Sequence, residues 1–416
     1  MQSWIEIPKD SDFTIYNLPF GIFEHETGEP RVGVAIGEYI IDMVEAAALG
    51  LLNEIEAPLT IFSNRYLNDF IAQGRPIWAR TRKVLSELLL EGNERLMVHK
   101  DQVLLPMEGT KMLLPIKIGD YTDFYSSLEH AINVGSMFRP ENPLLPNWKH
   151  LPVAYHGRAS SILVSGTDIH RPQGQLMLPQ AETPIFGPSQ RMDFELETAF
   201  IVGEATELGQ HISVAEAEKH IFGMVLFNDW SARDIQKWEY APLGPFLGKN
   251  FASSISPWVV TLEALEPFRT KCPSQSPEPL PYLQSRPKRT FDINLEVYLQ
   301  ADGEKEHLIT QSNFKYLYWN MSQQLAHHTV NGCNLNIGDV MASGTISGKE
   351  KSSFGSMLEL SWGGKEKIVL EKGLERVFLE DYDTVIMRGF AQKDDIRVGF
   401  GEVRGQVLPA ILTEHH

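Results

Sequence analysis

The sequence predicts a mainly β fold of the α+β class, divided into two unequal domains near residue 117, and three observations carry that prediction. At 416 residues, 43% hydrophobic and 22% charged, the chain is long enough for about two or three domains and apolar enough to bury a core. The runs DFELETAFIVG (193–203) and FDINLEVYLQADGE (291–304) alternate with period two, as strands do. Around LLPIKIG (113–119) the texture shifts toward Gly, Tyr, Phe and Trp, which puts the units at 1–117 and 118–416.

Taken in order, VGVAI, Gly37-Glu38 and YIIDM (32–43) are two β-rich runs around a short turn, a hairpin signal. From Pro76, the residues Trp78, Val84, Leu85, Leu88 and Leu89 recur at helical spacing, and Gly92 is placed to end the helix. An apolar run ending at Asn228-Asp229 reads as a strand feeding a helix through Arg233, Ile235 and Trp238. Prolines at 267, 273, 277, 279, 281 and 287 deny both helix and central strand to that stretch, leaving an ordered excursion or a flexible loop. In Phe291, Ile293, Leu295, Val297 and Leu299 one apolar face marks an antiparallel strand packed on one side. The adjacent His327-His328 lie in a helical pattern closed by Asn331-Gly332, face different ways and cannot chelate as an i, i+4 pair would.

Charge and composition exclude several classes. With Lys+Arg 37 against Asp+Glu 54 the net charge is −17, which repels phosphate backbones and anionic lipid and leaves small molecules and proteins as partners. Cys272 and Cys333 are too few for a disulfide framework and suit a reducing cytoplasm. No basic flank and apolar run mark a signal peptide, and no apolar stretch is long enough for a membrane span. GPFLGK (244–249) has the wrong spacing for a phosphate loop and Asn250 where Ser or Thr would follow, while GTISG (344–348) sets its serine one place late for a nucleophile elbow.

Three segments gather groups capable of chemistry. Asp193, Glu195 and Glu197 share one face of a strand; they form either an exposed acidic face or an oxygen-ligand set for a hard cation, Mg²⁺ or Ca²⁺ in preference to zinc. Asp229, Arg233, Gln236 and Tyr240 fall at i, i+4, i+7 and i+11, a stripe holding either an ordinary surface Asp–Arg pair or a functional set with Lys249 just beyond. In GDYTDFYSSLEHAINVGSMFR (119–139), Asp123, Tyr125, His130 and Arg139 cluster, with Ser126 or Ser127 able to cap a helix carrying His130. Histidine is the side chain suited to take a proton from water near neutral pH.

The strings SDFTIYNLPFGIF, GDYTDFYSS, LLPNWKHLPVAYHGRASSI, FELE, FGMVLFNDWSARDIQKWEYAPLGPFLGK, HHTVNGCNLNIGDVMASGTISG and SFGSMLELSW resemble the fumarylacetoacetate hydrolase family from end to end. The resemblance implies a small N-terminal SH3-like β-barrel with helices, a larger C-terminal β-sandwich roll, and a homodimer. It implies metal-dependent hydrolysis of a β-diketone at a carbon–carbon bond, with Asp123, Glu195, Glu197 and Asp229 as metal ligands. His130 is then the general base oriented by Glu359, and Arg233, Gln236 and Lys249 stabilise the alkoxide. Tyr125, Arg139, Gln236, Tyr240 and Thr345 hold substrate, and Lys249 and Ser253 lie by a metal-associated loop, Ser253 standing where relatives often have Thr. Arg139, Arg233 and Lys249 would offset the negative charge left by the acids. Asp193 matches no ligand. The rival readings are a related hydrolase, decarboxylase or isomerase acting on another oxo acid, and a catalytically silent binding protein.

Overall fold

The computed structural model describes residues 1–285 and 289–411, so Pro287 lies outside the described residues. The hairpin forms as expected: Pro30–Ile36 pairs with Tyr39–Asp42 in antiparallel register, Ile36 facing Tyr39 across Gly37-Glu38. It sits within a five-stranded sheet ordered Leu104–Pro106, Tyr39–Asp42, Pro30–Ile36, Phe20–Glu24, Met112–Leu113. The helix Arg75–Leu89 buries Trp78, Val84, Leu85, Leu88 and Leu89. It stops before Gly92 because Leu90 turns extended to bridge Ser3, and Glu91 N donates to Gln2 O at 2.9 Å.

Beyond residue 117 the main layer is an eight-stranded mixed sheet. Its path runs Ala154–His156, Tyr121–Phe124, Val340–Ala342, Leu196–Val202, Ile221–Asp229, Ser253–Ile255 and Ile162–Val164, with Val260–Thr261 also paired to Ile221–Asp229. Its central strands are buried on both faces, and successive side chains go to different cores. Ala199, Ile201, Val225, Phe227, Val340 and Ala342 join the core of the N-terminal unit, where Phe20 packs against Phe70 and Phe222. Leu196, Phe200, Met224 and Leu226 join Leu295, Val297 and Leu299 in the larger core. Those last residues belong to a five-stranded sheet ordered His307–Asn313, Asn294–Gln300, Thr384–Lys393, Ile396–Leu408, Ile169–His170, and Asn294–Gln300 alternates between buried and half-buried positions as its sequence predicts.

The proline-rich stretch is an anchored excursion. Arg269–Lys271 pairs with Arg289–Phe291, Gln275 Nε2 donates to Tyr318 O at 2.8 Å, and Leu283 is buried with Trp148, Tyr318 and Trp319. That same cluster takes in Ala131, one residue beyond His130, so the excursion buttresses the helix Leu128–Phe138 that carries the histidine. Among the described residues no helix is long and apolar enough to cross a membrane.

Candidate active site

Strand register assembles the acids. Asp123 faces Ala342, Ala342 faces Ala199, and Glu197 lies two residues from Ala199 on the same face. Asp229 ends its strand opposite Ser253, and its N–H donates to Glu195 O at 3.3 Å. Side-chain oxygens of Asp123, Glu195, Glu197 and Asp229 consequently lie within 4.8 Å of one another, all buried. The alternative of an exposed acidic face is overturned. The strand also breaks between Asp193 and Leu196, so Asp193 departs from the other two acids.

Two cations enter the cluster. Lys249 Nζ donates to Glu195 Oε2 and to Asp229 Oδ2, the latter at 2.7 Å. Arg233 Nη1 reaches Glu195 Oε1 at 2.7 Å and its Nε reaches Asp193 Oδ2 at 2.8 Å. The surface Asp229–Arg233 pair, one of the two readings of that stripe, does not form, because Asp229 closes the strand Ile221–Asp229 while Arg233 opens the helix Arg233–Glu239, and no helical turn joins them. Asp229 takes instead Ser253 Oγ at 3.1 Å and Tyr155 Oη at 3.0 Å. Arg233 is thus shared with Asp193, so it offsets less of the cluster's charge than the sequence count assigned to it.

The carboxyls respond unequally. Burial pushes Glu195 up, but Arg233 and then Lys249 outweigh it and hold the group well below the usual carboxylate range. Burial and the Asp229 charge push Asp123 well above that range, and burial with Asp123 does the same to Glu197. Burial would lower Lys249, but Asp229 and Glu195 raise it and keep it protonated. Asp123 Oδ1 and Glu197 Oε1 are buried with no hydrogen-bond partner among the described residues. Two unmatched carboxylate oxygens beside two paired ones fit a hard divalent cation, whose oxygen preference these acids meet.

Beside the cluster stands a hydrogen-bonded histidine. Ser127 caps the helix Leu128–Phe138, accepting from His130 N at 3.4 Å, and ties it across through Ser127 Oγ to Ser347 O at 3.1 Å. His130 Nδ1 donates to Glu359 Oε2 at 2.7 Å, and no hydrogen bond engages Nε2 among the described residues. Glu359 is fully buried and also accepts from Asn133 Nδ2, Ser347 Oγ and Ser356 Oγ, each at 2.9 Å. Burial raises its pKa, yet the His130 ring and these donors prevail and hold it below the ordinary value. A buried carboxylate that fixes the orientation of one ring nitrogen is what a general base needs.

The remaining residues divide. The Tyr125 ring lies edge-on to His130 at 5.3 Å, Gln236 Oε1 accepts from Arg233 Nη1 at 3.3 Å, and buried Thr345 has no partner for its Oγ1 among the described residues. Arg139 is exposed and donates to Pro143 O at 3.2 Å; its charge reaches Tyr125 without a direct bond to the cluster. Tyr240 is 53% exposed at the end of the Arg233 helix, and no side-chain hydrogen bond joins it to the acids among the described residues. Sequence reasoning missed Tyr155, Asn133, Ser347, Ser356 and the partners of Asp193. Tyr155 lies within AYHG, Ser347 is the serine of GTISG and Ser356 lies within SFGSMLELSW, strings whose spacing assigned these three residues no role.

The family model described as fumarylacetoacetate (FAA) hydrolase C-terminal matches residues 120–408, and that described as fumarylacetoacetase N-terminal matches 16–115. The chain is 51% identical to the fumarylacetoacetase of Caenorhabditis elegans, covering 99% of this chain and 100% of the relative. It is 51% identical to that of Homo sapiens and 49% to that of Arabidopsis thaliana, covering 99% of each chain in both cases. A solved fumarylacetoacetate hydrolase from the psychrophilic Exiguobacterium antarcticum superposes with a TM-score of 0.53 at 18% identity, covering 94% of this chain and 99% of that one, which speaks to the fold alone. On matches that run the length of both domains' worth of sequence, the chain belongs to the fumarylacetoacetate hydrolase family.

Proposed function

We propose that this chain hydrolyses 4-fumarylacetoacetate to fumarate and acetoacetate, the last step of tyrosine and phenylalanine degradation. The observation that carries the reading is the His130–Glu359 pair set beside four buried carboxylates, in a chain about half identical to named fumarylacetoacetases. Asp123, Glu195, Glu197 and Asp229 would hold Mg²⁺ or Ca²⁺, which when bound supplies Lewis-acid polarisation of the diketone oxygens. His130 Nε2 takes a proton from water, and the hydroxide attacks the carbonyl next to the fumaryl group. Arg233, Gln236 and Lys249 stabilise the oxyanion of the tetrahedral adduct. Its collapse breaks the carbon–carbon bond; fumarate leaves, the electron pair stays on the acetoacetate enolate, and His130 returns its proton there.

Tyr125, Arg139, Tyr240 and Thr345, with Gln236, would hold the substrate's ends, Arg139 and Tyr240 from the exposed rim. Lys249 and Ser253, both bonded to Asp229, would sit behind the cation. We assign the units to 1–117 and 118–416, the oligomer to a homodimer, and the compartment to the cytoplasm. The test follows the ultraviolet absorbance of fumarylacetoacetate with added Mg²⁺ or Ca²⁺. Absorbance falls with the native chain; His130→Ala abolishes the fall while divalent binding persists, and Glu195→Gln weakens binding first. A metal-loaded native chain that leaves the absorbance unchanged sinks the hydrolase reading, and equal loss of metal in both variants contradicts the division of roles.

A further inference from the structure

Asp193 stands outside the carboxylate cluster and yet is fully buried. Its carboxylate is met by donors on every bond it makes: Arg233 Nε at 2.8 Å and Leu358 N at 3.0 Å on Oδ2, and Met357 N at 2.6 Å on Oδ1. Met357 and Leu358 open the short helix Met357–Leu360, which carries Glu359. A single side chain therefore grips the guanidinium on one side and, on the other, the backbone that aims Glu359 at His130.

The consequence for Arg233 is orientational. Asp193 holds Nε, while Glu195 Oε1 at 2.7 Å and Gln236 Oε1 at 3.3 Å hold Nη1. Bonds at two nitrogens fix a planar fork, and they leave Nη2 buried with no partner among the described residues. The consequence for Glu359 is similar. Ser356 caps its helix from within, accepting from Glu359 N at 3.3 Å and bridging Glu195, while the Asp193 carboxylate bonds the first N–H groups of that helix and Arg233 directly.

We propose that Asp193 is a positioning residue that couples the Arg233 guanidinium to the Glu359–His130 pair, so that the oxyanion donor and the base are set in register with each other. The proposal rests on the hydrolase reading for its kinetic consequence. An amide cannot replace the acid: whichever way Asn is turned, its NH₂ faces Arg233 Nε and Leu358 N, or faces Met357 N, and a donor meets a donor.

The experiment compares native chain, Asp193→Asn, Arg233→Lys and the double variant, each loaded with Mg²⁺. Asp193→Asn lowers kcat by about 100-fold, the scale of a misplaced catalytic group, with KM and divalent affinity by calorimetry little changed. On the Arg233→Lys background the same change costs less than about threefold, because the link is already cut. Equal factors on both backgrounds mark a merely structural acid and overturn the proposal, as does an undiminished kcat. A second readout needs no turnover: the downfield resonance of the His130 ring proton, assigned by its loss in His130→Ala, moves in Asp193→Asn. Should Asp193→Asn not fold, Arg233→Lys carries the test, since breaking the guanidinium's hold on Asp193 moves that resonance and an unmoved one overturns the coupling. A native chain without activity defeats the hydrolase reading instead, and the resonance still decides on Asp193.

Discussion

Lys249 bonds Glu195 and Asp229 and leaves Asp123 Oδ1 and Glu197 Oε1 with no donor among the described residues, so residue-level chemistry already asks for more positive charge than those side chains supply. The residue types were readable from TDFY, FELE and FNDW, but their pairing was not: Arg233 turned to Asp193 and Glu195, which are distant in sequence and close only after folding. The paired histidines show the same contrast. They do point apart, His327 Nδ1 to Tyr282 Oη at 3.1 Å and His328 Nε2 to Thr122 Oγ1 at 3.0 Å. Burial, with His156 and His327 nearby, lowers His328 from 6.5 to about 4. Its folded form is thus preferentially neutral, and the stability this contributes is whole above pH 6.5 and is lost as pH falls through about 4. His328→Gln, which keeps a partner for Thr122, is expected to reduce the fall in Tm between those pH values relative to the native chain. Parallel Tm–pH curves for the two chains would contradict this.

At the scale of elements, period and capping were legible. The hairpin, the helix after Pro76, the strand into Asp229 and the Ser127 cap all follow from local pattern. What local pattern hides is where a run is interrupted. Asp193, Glu195 and Glu197 read as one strand face, and the break before Leu196 sends Asp193 elsewhere. The turn at Gly344 is another such point: φ is +76°, and a Cβ there would lie 2.2 Å from Phe124 O. Its N–H donates to Glu197 Oε2 at 2.9 Å, so the turn holds one acid while crowding the strand that bears Asp123. Gly344→Ala is expected to cost about 1–3 kcal/mol in urea unfolding, from positive φ and steric conflict together. It should also weaken divalent binding, measured by calorimetry; a variant native in both respects would show the turn to be tolerant.

Over the whole molecule, the eight-stranded sheet lies between two cores, one shared with the N-terminal unit and the other with the second five-stranded sheet. Asp123, Glu197 and Asp229 continue at period two from Tyr121, Ala199 and Phe227, residues of the core shared with the N-terminal unit, so the acids lie at the polar end of an apolar face. Burying them there is costly without a counter-ion. Chelating divalent metal should therefore lower Tm, and Mg²⁺ or Ca²⁺ at about 100 times its dissociation constant should return about 2.7 kcal/mol. Identical melting of chelated and loaded chains would count against a cation at these acids. By itself the sequence determined the class of fold, the identity of the acids, the histidine and its glutamate, and their resemblance to one family, because strand period and long matching strings are local properties. Only the tertiary structure decided that Arg233 serves Asp193 and Glu195 and not Asp229, that Arg139 and Tyr240 are exposed, and that Asp193 links two halves of the site. Those facts depend on strand register and on contacts between residues far apart along the chain, and burial, which sets the cost of each charge, exists only once the layers have packed.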